Sequence, residues 1–192
     1  MTDAAHNPDR LFDDAFEFTL GREGGFVDHP SDPGGATNHG VSLRYARRLG
    51  RVVDLDLDGD VDIDDIRLVT PAVAKTLYRK DFWWTVGADR LHPAVAVVAF
   101  DTAVLCGAPR AARWMQGAVS ATQDGVIGPR SLAALAAADP RAVVTEVLAR
   151  RMLHHADDPN RRDFGLGWFR RIAALALFAA RYLPPKPTET PA

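Results

Sequence analysis

The sequence predicts a mainly α-helical protein. Apolar residues recur at helical spacing, prolines stand where helices would begin, and no stretch alternates convincingly between apolar and polar residues. The chain has 192 residues, of which 47% are hydrophobic and 25% are charged. This is the composition of an ordinary globular protein of one or two domains, which can bury a core without disulfide or zinc cross-links. It excludes disordered, fibrous and membrane-embedded classes.

Local signals place each helix in turn. Apolar residues from Leu11 onward have helical spacing, and Gly21 supplies the stop. Ser42 can cap a short helix that ends near Gly50, and Thr70 followed by proline starts a helix that reaches about Trp84. Further helices are predicted over residues 93–107, 109–117, 129–138, 140–156 and about 166–183.

Two segments are predicted to lie outside these helices, and the single cysteine is predicted to contribute only to packing. Residues 24–40 hold five glycines and two prolines, which favours an ordered loop or a small, irregular β-like hairpin. Residues 184–192 are rich in proline, and we expect a loose tail. The single cysteine, Cys106, lies in an apolar stretch, which favours a packed core thiol over a nucleophile. We expect no Sec signal peptide, because residues 1–10 hold no basic segment followed by an apolar run, and no membrane insertion, because no apolar run approaches about 20 residues.

Residues 54–65, which we call the acidic loop, have the spacing of an EF-hand. Carboxylates stand at positions 1, 3, 5, 9 and 12, glycine at position 6 and an apolar residue at position 8. Alternate side chains of such a loop converge on one hard cation, and position 7 offers its backbone carbonyl. We therefore expect a structural Ca²⁺, with a solvated acidic loop as the alternative. The predicted ligands are Asp54, Asp56, Asp58, Asp60, Asp62 and Asp65.

The acidic loop also explains the net charge of −2. The loop carries seven aspartates and no basic residue, so the rest of the chain has an excess of five positive charges. Part of this excess lies in residues 141–182, which hold eight arginines. Such a run is typical of a solvated helix face, and attraction to an anionic polymer is the functional alternative. Nucleic acid is not predicted as a partner.

The most informative stretch begins at Glu23, which follows the first predicted helix. The helix dipole and the neighbouring Phe26 would both raise the pKa of its carboxyl group, as a general acid acting on a glycosidic bond requires. Asp32, in a polar Gly-rich loop, would stay ionised and could position water or stabilise positive charge on a sugar, and Thr37 could hold the same water. From spacing alone, a purely structural turn remains an alternative.

The segments Glu23-Gly24-Gly25-Phe26 and Asp32-Pro33-Gly34-Gly35-Ala36-Thr37, continued to Gly40-Val41, resemble glycoside hydrolase family 108. This family comprises N-acetylmuramidase-like phage endolysins. The resemblance implies a lysozyme-like helical fold and places the catalytic glutamate on Glu23. The chain is also similar to the wider phage-type lysozymes, although Thr37 follows Asp32 one residue earlier than in their pattern, so the roles of Asp32 and Thr37 rest on analogy.

The second half resembles the peptidoglycan-binding partner domain of that family. The matching segments are 100–104, 114–116, 124–129 and 167–171. We therefore expect a catalytic module over residues 11–92, which includes the acidic loop, and a helical peptidoglycan-binding lobe over residues 93–183. The motif at 124–129 is also a loop-to-helix device that structure alone could explain.

The function expected from these observations is hydrolysis of the β-1,4 bond between N-acetylmuramic acid and N-acetylglucosamine. Phe26 and Trp84 are the candidate substrate-binding residues, since aromatic faces suit sugar rings, although tryptophans on an amphipathic helix more often lie in the core. The alternatives are a lytic transglycosylase and a non-catalytic, calcium-stabilised wall-binding protein. Without a Sec signal, such an enzyme would reach the cell wall through a holin or a dedicated secretion route, as phage and prophage endolysins do.

Overall fold

The computed structural model describes residues 8–21, 25–28 and 35–185. These residues are mainly helical, as predicted, and their only strands form one two-stranded sheet. None of the described helices is both long and apolar enough to cross a membrane.

The helices begin and end as follows: α1 (Pro8–Leu20), α2 (Leu43–Leu49), α3 (Ile63–Leu68), α4 (Pro71–Tyr78), α5 (Pro93–Cys106), α6 (Ala108–Ala118), α7 (Pro129–Ala137), α8 (Pro140–Ala156) and α9 (Arg161–Ala180). A π-helical turn (Arg79–Trp83) continues α4, and 3₁₀ turns cover Gly50–Val53 and Ala88–Arg90. The two strands are β1 (Thr37–Asn38) and β2 (Val41–Ser42).

Side-chain caps fix the predicted helix starts. The Ser42 hydroxyl accepts a hydrogen bond from the Tyr45 amide at 3.2 Å, and the Thr70 hydroxyl accepts one from the Val73 amide at 3.2 Å. Asp139 caps α8 in the same way. Each cap satisfies an amide that has no partner within its own helix, typically contributing about 1 kcal/mol. These starts confirm the sequence prediction.

The chain forms two compact units. One, the continuous unit, is Asp13–Asp81; the other, the split unit, combines the segment up to Phe12 with the chain from Phe82 onward. These units are defined by packing, and the division into modules at residues 11–92 and 93–183 stays a prediction.

The split unit is built around α5. Every residue from Ala94 to Ala103 is buried, because α6, α8 and α9 all pack against this helix. Against Phe100 of this helix, Phe12 and Trp83 pack edge to face, and the three ring centroids lie 5.4–5.7 Å apart. A helix that is apolar on all sides is the expected centre of such a bundle.

One charged cluster is buried among these helices. Asp101, fully buried on α5, accepts hydrogen bonds from Arg151 of α8 at 2.6 Å and from Arg171 of α9. Arg151 is itself only 1% exposed. Two arginines of the basic run in residues 141–182 therefore form ion pairs with a buried carboxylate. The exposed arginines of this run include Arg161, Arg162, Arg170 and Arg181.

The continuous unit contains the predicted β-like hairpin. Strands β1 and β2 are antiparallel, with Thr37 opposite Ser42 and Asn38 opposite Val41. The turn residues His39 and Gly40 both have positive φ, 47° and 83°, which is the conformation of a type I′ turn.

The structure differs from the sequence prediction in four places. Helix α3 was not predicted, and α9 begins at Arg161 rather than near Leu166. Trp168, one of the helical tryptophans that sequence alone would place in the core, is half-buried and stacks on His155 with ring centroids 4.8 Å apart. Cys106 is also only half-buried; burial raises the pKa of its thiol, as expected of a packing residue rather than a nucleophile.

Candidate active site

The predicted catalytic residues are only partly described. Glu23 and Asp32 lie outside the described residues, whereas Thr37, Phe26 and Trp84 lie within them. The structure therefore describes the segments that flank Glu23 and Asp32 in the sequence.

The helix before Glu23 ends where the sequence predicts. The Gly21 amide donates the last hydrogen bond of α1 to the Glu17 carbonyl at 3.0 Å, and Gly21 adopts a positive φ of 76°. Glycine adopts this left-handed conformation readily, so it ends the helix without steric cost. In the sequence, Glu23 follows two residues later.

Thr37 closes the loop whose sequence contains Asp32. Its amide and carbonyl exchange two hydrogen bonds of 2.8 Å with the carbonyl and amide of Val27, so both ends of the segment 28–36 are paired. The Thr37 hydroxyl donates to the Gly35 carbonyl at 3.3 Å and keeps acceptor capacity on its oxygen. Thr37 is half-buried, so such an oxygen can hold a water molecule.

The side chains of the two aromatic candidates, Phe26 and Trp84, are both exposed to solvent. Phe26 is 39% exposed, and the Arg67 guanidinium lies 5.2 Å from its ring centroid in cation–π geometry. Trp84 is 55% exposed, whereas its neighbour Trp83 is fully buried. Of the two tryptophans, only Trp84 therefore offers an indole face that could stack on a sugar ring.

Asn38, which the sequence did not single out, anchors the hairpin. It is 5% exposed, and its side-chain amide donates to the carbonyls of Ile66, Arg67 and Val69 at 2.9, 3.3 and 3.1 Å. These carbonyls lie at the C-terminal end of α3, where a helix leaves its last carbonyls without internal partners. The hydrogen bonds connect residues about 30 positions apart, so no local pattern could reveal them.

Asp65 organises the acidic loop from its buried side. It is 1% exposed; its Oδ1 accepts from the Leu55 amide at 2.6 Å and its Oδ2 from the Asp62 amide at 2.8 Å. Asp62 in turn accepts from the Asp64 amide and forms a capping box with Asp65 at the start of α3. Position 12 of the loop therefore also belongs to the first turn of a helix, as in an EF-hand.

The remaining carboxylates of the acidic loop suit a hard cation. Oxygens of Asp54, Asp56 and Asp65 lie within 4.8 Å of one another, and so do oxygens of Asp60, Asp62 and Asp65. The Asp54 Oδ1 atom is buried without a hydrogen-bond partner among the described residues. The carboxylate of Asp58 raises the pKa of Asp60, because the two negative charges repel each other. This all-oxygen donor set fits Ca²⁺.

The motif at residues 124–129 has a structural explanation in Gln116. This buried side chain donates to the Asp124 carboxylate at 2.7 Å and the Ser131 hydroxyl at 3.0 Å, and it accepts from the Gly125 amide at 3.0 Å. The hydrogen bond from Gln116 lowers the pKa of Asp124. Gln116 therefore holds the loop against the start of α7.

Comparisons with known proteins agree on one family. The model of the family described as glycosyl hydrolase 108 matches residues 16–107. Twelve chains of solved structure match significantly, among them SagA of Brucella abortus, which is 29% identical; the match covers 93% of this chain and 98% of that chain, with a TM-score of 0.76. No curated protein matches the sequence significantly.

The family match spans Glu23, Asp32 and Thr37, and the structural match extends over nearly the whole chain. The mainly helical architecture is consistent with a lysozyme-like fold. Residues 16–107 form a glycosyl hydrolase 108 domain, and the chain is therefore a glycoside hydrolase.

Proposed function

We propose that this chain is an N-acetylmuramidase that hydrolyses the β-1,4 bond between N-acetylmuramic acid and N-acetylglucosamine in peptidoglycan. The observation that carries the proposal is the family match over residues 16–107, which contains the Glu23-Gly24-Gly25-Phe26 segment. Membership in this family implies a peptidoglycan hydrolase.

In this proposal Glu23 is the general acid. A protonated carboxyl group donates its proton to the glycosidic oxygen as the bond to the sugar breaks. Asp32, as a carboxylate, stabilises positive charge on the sugar or activates a water molecule, and Thr37 holds that water. Two observations support these roles: α1 ends just before Glu23 in the sequence, and the Val27–Thr37 pairing closes the segment that contains Asp32.

The test is the variant Glu23→Gln, which has nearly the same shape but no acidic proton. We expect lysis of purified cell walls to fall by at least about 10²-fold, since general acid catalysis typically contributes 10² to 10⁴. Reducing ends released over time give the rate, and the melting temperature verifies the fold. Glu146→Gln in α8 is the matched control, because Glu146 lies outside the family-matched segment and pairs with Arg150 at the surface.

Near-wild-type turnover by Glu23→Gln would refute the assignment. Mass spectrometry of the released fragments separates the remaining possibilities. Anhydromuramic ends would identify a lytic transglycosylase, and sedimentation with cell walls without any release of reducing ends would identify a binding protein.

We also propose that the acidic loop binds a structural Ca²⁺ through Asp54, Asp56, Asp58, Asp62 and Asp65 and the backbone carbonyl of Asp60. Calcium should raise the melting temperature and a chelator should lower it, because a ligand of the folded state stabilises by about 2.7 kcal/mol at a hundredfold excess over its Kd. The double variant Asp54→Ala and Asp58→Ala should lose calcium binding by calorimetry, while Asp157→Ala, an exposed aspartate at the end of α8, should keep it. Calcium binding unchanged in the double variant would contradict this proposal.

We further propose that residues 93–183 hold the enzyme on the wall and that a holin or a secretion route releases it there. The exposed arginines Arg161, Arg162, Arg170 and Arg181 support attraction to an anionic polymer. Sedimentation of the full-length Glu23→Gln variant with purified walls at rising salt tests the attraction. Binding that does not weaken with salt would exclude this electrostatic contribution.

A further inference from the structure

The continuous unit holds a cavity of about 410 Å³. Sites for small ligands have volumes of about 300–1,000 Å³, so this cavity can take one small molecule or one unit of a polymer. Its described lining comes from the last turns of α1, the tip of the β1–β2 hairpin and the start of α4. The residues are Phe16, Glu17, Leu20, His39, Pro71 and Lys75. Gly21, two residues before Glu23 in the sequence, also lines it.

The lining combines apolar and hydrogen-bonding groups. Phe16, Leu20 and Pro71 contribute carbon surface. Glu17 and Lys75 contribute one charge of each sign, so the charges of the lining nearly cancel. The Lys75 ammonium is held at the wall by Asp13, at 2.7 Å, and lies 5.8 Å from the centroid of the Phe16 ring. An exposed ion pair of this kind contributes at most about 1 kcal/mol, so the ammonium can exchange or share its partner.

His39 is held in place from both sides. It occupies the first turn position of the hairpin with a positive φ of 47°, where a side chain bears some strain. On one side the Asn38 amide is bonded to the end of α3; on the other, the Gly40 carbonyl accepts a hydrogen bond from the Tyr78 hydroxyl at 2.7 Å. Gly40 is itself packed tightly, since a Cβ there would lie 2.9 Å from Leu20. The hairpin tip is therefore pre-organised, as a binding residue requires.

We propose that this cavity binds one N-acetylhexosamine unit of the glycan strand, with the side chains of His39 and Lys75 donating hydrogen bonds to its polar edge and Phe16 contacting its apolar face. The proposal rests on the proposed function and deepens it, because it assigns substrate-positioning residues that the sequence motif does not contain. His39 and Lys75 act on substrate binding and not on the proton transfer assigned to Glu23.

The chemistry of the lining favours this ligand class. A strongly anionic ligand would meet the carboxylate of Glu17, and a purely apolar ligand would leave the charged groups of Glu17 and Lys75 poorly solvated. A neutral sugar carries both an apolar ring face and a ring of hydroxyl and acetamido groups, which matches the mixed lining. Gly21 of the lining stands two residues before Glu23 in the sequence, so the assignment of both to one glycan strand agrees with the proposed function.

The experiment measures binding separately from catalysis. In the full-length Glu23→Gln background, calorimetry follows the titration of a tetramer of N-acetylglucosamine, which is uncharged and is not consumed. The variants are His39→Asn, since asparagine also tolerates positive φ, and Lys75→Met, which keeps an unbranched side chain of similar length but removes the ammonium group. Arg44→Met on α2, exposed and outside the cavity, is the matched control.

We expect the Kd to rise about three- to tenfold in His39→Asn and in Lys75→Met, the range for one lost hydrogen bond, and to stay unchanged in Arg44→Met. With Glu23 restored, KM on peptidoglycan fragments should rise in the same two variants while kcat changes by less than about twofold. Melting temperatures close to that of the parent exclude a merely structural effect.

A Kd that is unchanged in both variants, or a parent that does not bind the tetramer, would overturn the proposal. These failures are distinct from failure of the proposed function. If the wild-type chain releases reducing ends from peptidoglycan but both variants bind normally, only the cavity assignment is wrong. If the wild-type chain releases none, the muramidase assignment itself fails.

Discussion

Asn38→Ala tests how the hairpin is fixed to the rest of the continuous unit. Asn38 is 5% exposed, and its amide donates to three carbonyls at the end of α3. Alanine is compatible with the strand but has no side-chain donor. The buried carbonyls of Ile66 and Val69 would each lose one hydrogen bond. No other residue of the pair β1–β2 would change.

The magnitude follows from these hydrogen bonds. A buried group left without its partner costs about 1–3 kcal/mol, and two of the three hydrogen bonds lie in buried surroundings. Water entering the space left by the amide recovers part of this cost. We therefore expect a loss of about 2–4 kcal/mol in the free energy of unfolding, or a fall in melting temperature on the order of 8 °C.

Denaturant unfolding of wild type, Asn38→Ala and Asn160→Ala measures the effect. Asn160 precedes α9, is exposed and makes no side-chain capping bond, so its substitution should change stability by less than about 0.5 kcal/mol. Asn38→Asp keeps the shape but sets an acceptor against three carbonyls, and it should destabilise more than alanine. A cost below about 0.5 kcal/mol for Asn38→Ala would show that the three hydrogen bonds do not hold the hairpin.

Two further substitutions test strain and buried charge. Leu57 in the acidic loop is 84% exposed and has a positive φ of 64°, a conformation that asparagine adopts more readily than leucine. Leu57→Asn should therefore stabilise the chelator-treated protein by about 1 kcal/mol in thermal unfolding. A loss of stability would contradict the strain argument. Asp101→Asn removes the negative charge between Arg151 and Arg171 and should cost about 3–5 kcal/mol by denaturant titration, because it leaves Arg151 buried and uncompensated. If Asp101→Asn leaves the free energy of unfolding unchanged, water already solvates Arg151 and Arg171.

The helix boundaries were predictable where proline, glycine and capping residues mark them. Thr70 with Pro71, Asp139 with Pro140 and Gly107 all act within one turn of the chain, so the sequence alone contains the relevant chemistry. The start of α9 was missed because Gly165 resembles a helix breaker. In the structure Gly165 is buried inside the helix, where a Cβ would lie 3.0 Å from the side chain of Arg161. Close packing, not turn formation, explains that glycine.

The parts of the site that depend on distant contacts were not predictable. The sequence predicts Asp62 and Asp65 as calcium ligands. It does not predict that the same two residues form the capping box of α3. Asn38 gave no signal, because its partners are about 30 residues away. The motif at Glu23, in contrast, is local, and the family match includes it. The roles assigned to Glu23, Asp32 and Thr37 stay predictions.

The division of the chain into a continuous and a split unit has a consequence for folding during synthesis. The continuous unit is complete when Asp81 has emerged from the ribosome, and its hairpin and helices need no later residue for their internal contacts. Phe12, which is 2% exposed in the folded protein, is made first, but its ring partners Trp83 and Phe100 are made only after the whole continuous unit. The ring contacts of Phe12 with Trp83 and Phe100 can therefore form only after the unit bearing the candidate catalytic residues has been synthesised and can already fold.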